Sequence, residues 1–152
     1  MKTRPLLSPL LFSLFLGAIT LQAGIPAQEK AFTDKYKAAF EAKDTATLYT
    51  FLYTQNANPM ALQFYQMMVT NGAGDKISMI ELVDLTPNDI KKAEEPMDGP
   101  GGIKMKLPLK PIKKLKVSVE HKDENGSSTS KRESYVAEKD GRLVIPVPVN
   151  VN

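Results

Sequence analysis

The sequence holds one histidine, His121, and no cysteine. That leaves a single imidazole for acid–base work. His121 follows Leu115, Val117 and Val119 at alternate positions, so on a strand it faces the same side as those apolar residues, at the strand's end. With a nearby tyrosine or carboxylate it could serve a small isomerase, cyclase or hydrolase. The plainer alternative is a frayed strand end running into Lys122-Asp123-Glu124, with His121 solvated. One histidine excludes a multi-histidine metal site, and the lack of cysteine excludes disulfides, thiolate metal sites, cysteine nucleophiles and a lipidated N-terminal cysteine. No GxSxG nucleophile elbow is present.

Two loop motifs invite chemistry and fall short of it. Asp123-Glu124-Asn125-Gly126 begins like a calcium loop, but its glycine is fourth instead of sixth, and Ser134 stands where the bidentate glutamate belongs. Gly99 to Gly102 lacks a following Lys-Ser/Thr and opens a strand, so it reads as a loop and not a phosphate cradle. No metal and no cofactor is expected. Between Lys104 and Lys122, seven lysines meet one acid, Glu120. Lys113, Lys114 and Lys116 in that stretch are candidates for an anionic surface or an acidic protein partner, against the alternative of a solvated face that blunts a sheet edge.

The elements that would hold these residues divide into a helical first part and a strand-rich second part. Gln28 to Asp44 places Phe32, Tyr36, Ala39 and Phe40 on one helical face. Asp44 caps a short second helix in which Leu48, Phe51 and Leu52 are buried, ending near Gln55-Asn56. Asn58 and Pro59 open a third, with Met60, Phe64, Met67 and Met68 as its inward stripe and Asn71-Gly72 as its stop. Eight of the nine aromatic residues beyond residue 23 lie between Phe32 and Tyr65, so the helices bring the bulky half of the core.

Ile77 to Leu85 then reads as a strand, Thr86-Pro87 as the start of a short polar helix stopped by Pro96, and Asp98 to Gly102 as a loop. From Ile103 the period is two. Leu115, Val117 and Val119 alternate with Lys114, Lys116, Ser118 and Glu120, and Asp123 to Ser128 turns the chain back through Arg132 to Lys139. After Lys139-Asp140-Gly141, a last strand sets Leu143, Ile145, Val147 and Val149 on one face. Pro146 and Pro148 remove ladder donors, which predicts an unpaired far end and a loose terminus. No repeat at solenoid periods stands out. The class is α+β, with N-terminal helices on one face of a curved, mainly antiparallel sheet.

Lys2 and Arg4 followed by the apolar run Leu6 to Leu21 read as a secretory signal peptide, too short and broken to be a comfortable membrane span. Cleavage is expected after Ala23, with Ala27 the alternative. That leaves one domain, residues 24–152 with an ordered core of about 28–147, large enough to fold without staples. Its location is secreted or periplasmic. Losing residues 1–23 removes Lys2 and Arg4 and no acid, so the net charge falls from +3 to +1. Nucleic acid is therefore not an expected partner, and no membrane span remains.

The stretch Tyr36-Lys37-Ala38-Ala39-Phe40-Glu41-Ala42-Lys43-Asp44, the helices after it, and Glu138-Lys139-Asp140-Gly141-Arg142-Leu143-Val144-Ile145 together resemble the nuclear transport factor 2-like, cystatin-like superfamily of cone-shaped domains, as an exported bacterial member. Lys43 stands where that family often has glycine, and Leu143 where it often has tryptophan. A third helix before the first strand also departs from the family order. The resemblance covers about residues 30 to 147. It implies a pocket between helices and concave sheet, used by some members for acid–base catalysis and by many for binding alone. No catalytic motif of the family can be carried over. The first expectation is thus a non-enzymatic binding or accessory domain for a small apolar ligand, its pocket bounded by Phe32, Tyr36, Phe64, Leu115, Val117 and Val119. The alternatives are a small enzyme using His121 and a surface module acting through the lysine face. Oligomeric state is left open by these readings.

Overall fold

The structure, a computed structural model, describes residues 25–151. The expected signal peptide lies outside the described residues. Helix α1 (Ile25–Glu41) buries Phe32, Tyr36, Ala39 and Phe40, the stripe that its four-residue spacing predicts. It ends where Lys43 takes a left-handed φ of 57°, the conformation for which glycine is the easier choice. Asp44 then caps α2 (Thr45–Tyr49), its carboxylate accepting from the Thr47 amide at 3.0 Å.

The next residues differ from the expected helix. Phe51 and Leu52 are buried, but Leu52–Tyr53 form a short strand, β1, which runs parallel to a strand near the chain's other end. A strand therefore precedes the third helix. The apolar pattern of Leu48, Phe51 and Leu52 suits one turn of helix and two residues of buried strand equally well, so spacing alone does not separate them.

Helix α3 (Pro59–Thr70) is capped by Asn58, whose Oδ1 accepts from the amides of Met60 and Ala61, and it stops before Gly72 at φ +75°. Its inward face is not the expected one. Ala61 and Val69 are buried, and Leu62, Tyr65 and Met68 pack partly against the core, while Met60, Phe64 and Met67 face solvent at 44%, 56% and 61% exposure. The helix is apolar most of the way round, so two stripes fit a 3.6-residue period, and the surrounding layers decide between them.

Strand β2 (Lys76–Asp84) follows, then α4 (Pro87–Glu94), opened by a reciprocal cap between Thr86 and Asp89. Short β3 (Met97–Asp98) and β4 (Lys104–Lys106) lead to the long hairpin of β5 (Lys113–Asp123) and β6 (Gly126–Lys139). The hairpin is tighter than the sequence pattern indicated, with Asp123 paired to Gly126 and only Glu124 and Asn125 between them. A second two-residue turn, Asp140 and Gly141, both with positive φ, passes to β7 (Arg142–Pro146), and β8 (Val149–Asn150) closes the chain.

The main sheet has the order β1-β7-β6-β5-β2, with every pair antiparallel except β1 with β7; β3, β4 and β8 make a second small sheet. The fold is α+β, with α1, α2 and α3 preceding the long strands and covering the face that presents Leu115, Val117 and Val119. The end of the chain is held. Asn58 donates from its amide to the Pro148 carbonyl and from Nδ2 to Asn150, and the Val151 amide donates to Lys104. Pro146 does not break the ladder, because β7 bonds to β1 through the amides of Ile145 and Val147 and has parted from β6 after Val144. Buried side chains run consecutively from Val144 to Pro148, so β7 is covered on both faces and does not alternate as expected.

Candidate functional site

His121 lies on the inward side of β5, one strand position beyond the core. Its Nδ1 donates to Asp75 Oδ2 at 2.6 Å, and its Nε2 accepts from the Ser130 hydroxyl at 2.8 Å. The carboxylate can only accept, so it sets the tautomer that leaves Nε2 free to take a proton. The His121 and Asp75 side chains are 33% and 38% exposed, so the group is neither fully solvated nor sealed. Three elements assemble it. β5 carries His121, β6 brings Ser130 opposite Val119, and the turn after α3 supplies Asp75 just before β2. Gly72, in that turn, packs against the imidazole; a Cβ there would lie 2.7 Å from His121 Cε1. The arrangement of hydroxyl, imidazole and carboxylate is one that can activate an oxygen nucleophile.

A groove of about 290 Å³ opens between α1 and the start of β7. Phe32 and Phe51 line it together with Ala31 and Leu143, and Lys35 and Arg142 add two cations. The rings of Phe32 and Phe51 meet edge to face at 5.0 Å, and Lys35 Nζ sits 5.6 Å above the Phe51 ring. A second cleft of about 310 Å³ is more polar and is lined by Tyr65, Asp89, Lys92, Lys114, Glu133 and Tyr135.

The six residues expected to bound one apolar pocket do not gather round one. Tyr36, Leu115, Val117 and Val119 are packed in the core, Phe32 lines the α1–β7 groove, and Phe64 points to solvent. Burial pushes the Tyr36 phenol up to about 12, with the Arg132 charge pulling the other way. The helices' aromatics fill the space that a cavity would need, which composition could not reveal.

The lysine candidates are met by carboxylates. Lys113 pairs with Glu29 at 3.1 Å and Asp84 at 2.8 Å, Lys114 with Asp89 at 2.5 Å and Glu133 at 3.3 Å, and Lys116 with Glu133 at 3.9 Å. Hydrogen bonds from Lys114 and then Thr86 hold the Asp89 carboxyl down at about 2, and the Asp89 bond raises Lys114 in turn. The acids come from α1, β2, α4 and β6, all outside the lysine-rich stretch, so a local charge count could not find them. No three His, Asp or Glu side chains among the described residues gather closely enough to hold a metal ion, and no described helix is long and apolar enough to cross a membrane.

Asp75 and Ser130 escaped the sequence reading. Ser130 could have been placed from the hairpin, since a two-residue turn at Glu124-Asn125 puts it opposite Val119 and beside His121. Asp75, 46 positions from His121, gives no such signal.

No family model matches this chain, and no curated protein matches it. Among solved structures it is similar to the helical cell shape determining protein Pgp2 from Campylobacter jejuni, at 12% identity and a TM-score of 0.38, over 76% of this chain and 37% of that one. The chain thus spans little more than a third of that protein's length. A likeness so distant bears on neither activity nor partners.

Proposed function

We propose that this chain is an exported binding or accessory domain that takes a small, largely apolar ligand in the groove between α1 and β7. The observation that carries this reading is the lining of that groove, with Phe32, Phe51, Ala31 and Leu143 beside the two cations Lys35 and Arg142. Such a lining suits an apolar body with one anionic end, such as an acyl chain bearing a carboxylate. The test is thermal unfolding of the domain across a panel of fatty acids and neutral amphiphiles. A ligand present at about a hundred times its Kd adds about 2.7 kcal/mol and raises Tm by several degrees. Ala31, exposed at the groove, offers the control, since Ala31→Trp fills it and abolishes the shift. A panel that leaves Tm unchanged throughout removes the reading.

Membership of the cone-shaped nuclear transport factor 2-like class is part of the same proposal. Its support is the helix-covered, mainly antiparallel sheet, the β1 that precedes α3, and the left-handed Lys43 where that family favours glycine.

A second reading is favoured by the Asp75–His121–Ser130 relay. In it His121 takes the Ser130 proton as the hydroxyl attacks an ester carbonyl, then returns it to the leaving alcohol, and water hydrolyses the acyl-serine. Fluorophosphonate labelling located by mass spectrometry decides this. Adduct on Ser130 that is lost in His121→Gln supports it, and an unlabelled Ser130 in the folded domain ends it.

A further inference from the structure

We propose that two copies of this chain pair edge to edge through β6, as an antiparallel dimer with its two-fold axis at Arg132. Strand β6 runs from Gly126 to Lys139, and β5 pairs with it from Gly126 to Val136. On the other side β7 takes only Ala137 to Lys139. From Ser127 to Tyr135 that second edge carries no strand among the described residues. An open edge of this length is a template for another strand unless something blocks it. No proline interrupts it, and its one helix-facing charge, Arg132, is held by the carbonyls of Met68 and Asn71.

The sequence along the edge is self-complementary. With the axis at Arg132, Lys131 of each copy lies opposite Glu133 of the other, Ser130 opposite Ser134, and Thr129 opposite Tyr135. The charge pair therefore forms twice. Arg132 meets Arg132 at the axis, but each guanidinium is turned to the Met68 and Asn71 carbonyls of its own chain, whereas centring on Lys131 or on Glu133 sets like charges opposite and forfeits both Lys131–Glu133 pairs. Lys131 and Glu133 are both exposed, on the side of the sheet that also carries Lys116 and Ser118.

A second feature points to the same place. Arg132 donates to the carbonyls of Met68 and Asn71, and the Ser134 hydroxyl lies 3.7 Å from Met68 Sδ, so α3 is tied to this strand. The same helix carries the exposed apolar row Met60, Phe64 and Met67, which no part of the described chain covers. A two-fold axis at Arg132 brings α3 of each copy toward the junction, so that one closed contact accounts for both the unpaired edge and the uncovered row. The proposal does not rest on the groove or on the His121 relay, although Ser130 of that relay lies on the paired edge.

Sedimentation equilibrium of the domain at concentrations up to about 200 µM tests it. The wild type is expected to be a dimer. Lys131→Glu, which by symmetry turns both charge pairs repulsive, is expected to weaken association about tenfold or more, and K131E/E133K to restore it to within about threefold. Phe64→Lys, at an exposed position, is expected to weaken the dimer without unfolding the chain. A wild type with the mass of one chain at the highest concentration overturns the proposal, as does a dimer whose Kd is unmoved by K131E. A folded double variant that fails to recover overturns the register. Should E133K unfold the chain through its contacts with Lys114 and Lys116, K131E and F64K decide alone.

Discussion

Arg132 is the one long cationic side chain on the helix-facing side of β6, and removing its guanidinium tests how α3 is held. It donates to the carbonyls of Met68 and, at 2.9 Å, Asn71, and its Cζ sits 4.9 Å from the Phe40 ring centre. The Met68 carbonyl belongs to the last turn of α3, where it has no partner within the helix and shares its negative end, and Asn71 is the residue that caps that turn. Two hydrogen bonds from a charged donor are worth about 1.5–3 kcal/mol each when buried. Both carbonyls lie near the surface and regain water once exposed, so about 1 kcal/mol each is the better figure, with about 0.5–1 kcal/mol more for the ring contact. Arg132→Met keeps the stem's packing and should therefore lower stability by about 2–3 kcal/mol in urea denaturation with m unchanged. Arg132→Lys keeps the charge but cannot reach both carbonyls, and should lose about 1–1.5 kcal/mol. A Met variant within about 0.5 kcal/mol of wild type would refute the tether, and so would a Lys variant as poor as the Met one.

Gly72→Ala sets a Cβ 2.7 Å from His121 Cε1 at a φ of +75°, so it should cost about 1–3 kcal/mol and displace the imidazole from Asp75, visible as a shift of the His121 ring signals in NMR. Asn58→Ala loses both the α3 cap and the bond to Asn150, and a drop of about 1–2 kcal/mol is expected in thermal or urea unfolding. The Asp89 carboxyl, held at about 2 by Lys114 and Thr86, binds its proton more weakly folded than unfolded, so its contribution is present above about pH 4 and drains away as pH falls toward 2. Asp89→Asn should flatten that part of the acid unfolding profile; an unchanged profile would place the acid sensitivity elsewhere. Tyr36 has the opposite sense, because its raised phenol keeps its contribution below about pH 10 and loses it toward 12, and Tyr36→Phe should unfold at higher pH than wild type.

What could be read from the sequence was whatever short-range physics decides. The cap at Asp44, the Asn58-Pro59 start, the Thr86-Pro87 start and the positive-φ turn at Asp140-Gly141 all rest on interactions within four residues, and each lies where the local pattern places it. The α1 stripe was legible because that helix has one apolar face. The α3 stripe was not, because its sequence offers two, and the choice belongs to Arg132 and the sheet beneath it. The chain end failed for a related reason. Its prolines forbid certain hydrogen bonds, but whether those bonds are needed depends on which neighbour lies on which side, and β7 leaves β6 just before Pro146.

The same division separates the candidate sites. The side of the sheet that His121 shares with Val119 follows from strand parity, a local property, whereas its partner Asp75 is delivered by a turn between α3 and β2 that only the tertiary fold brings near. The lysines show the converse. Counted along the chain they form a cationic stretch, yet Glu29, Asp84, Asp89 and Glu133 reach them from four other elements. A charge run on a central strand of a sheet is a poor guide to surface potential, because its neighbours above, below and beside it are chosen by the fold. On an open edge the neighbour has yet to arrive, and there the local sequence of β6 regains its predictive force: Lys131, and Glu133 beyond its pairs with Lys114 and Lys116, are met across that edge by a strand carrying the opposite order of charge, which an antiparallel copy of β6 itself supplies.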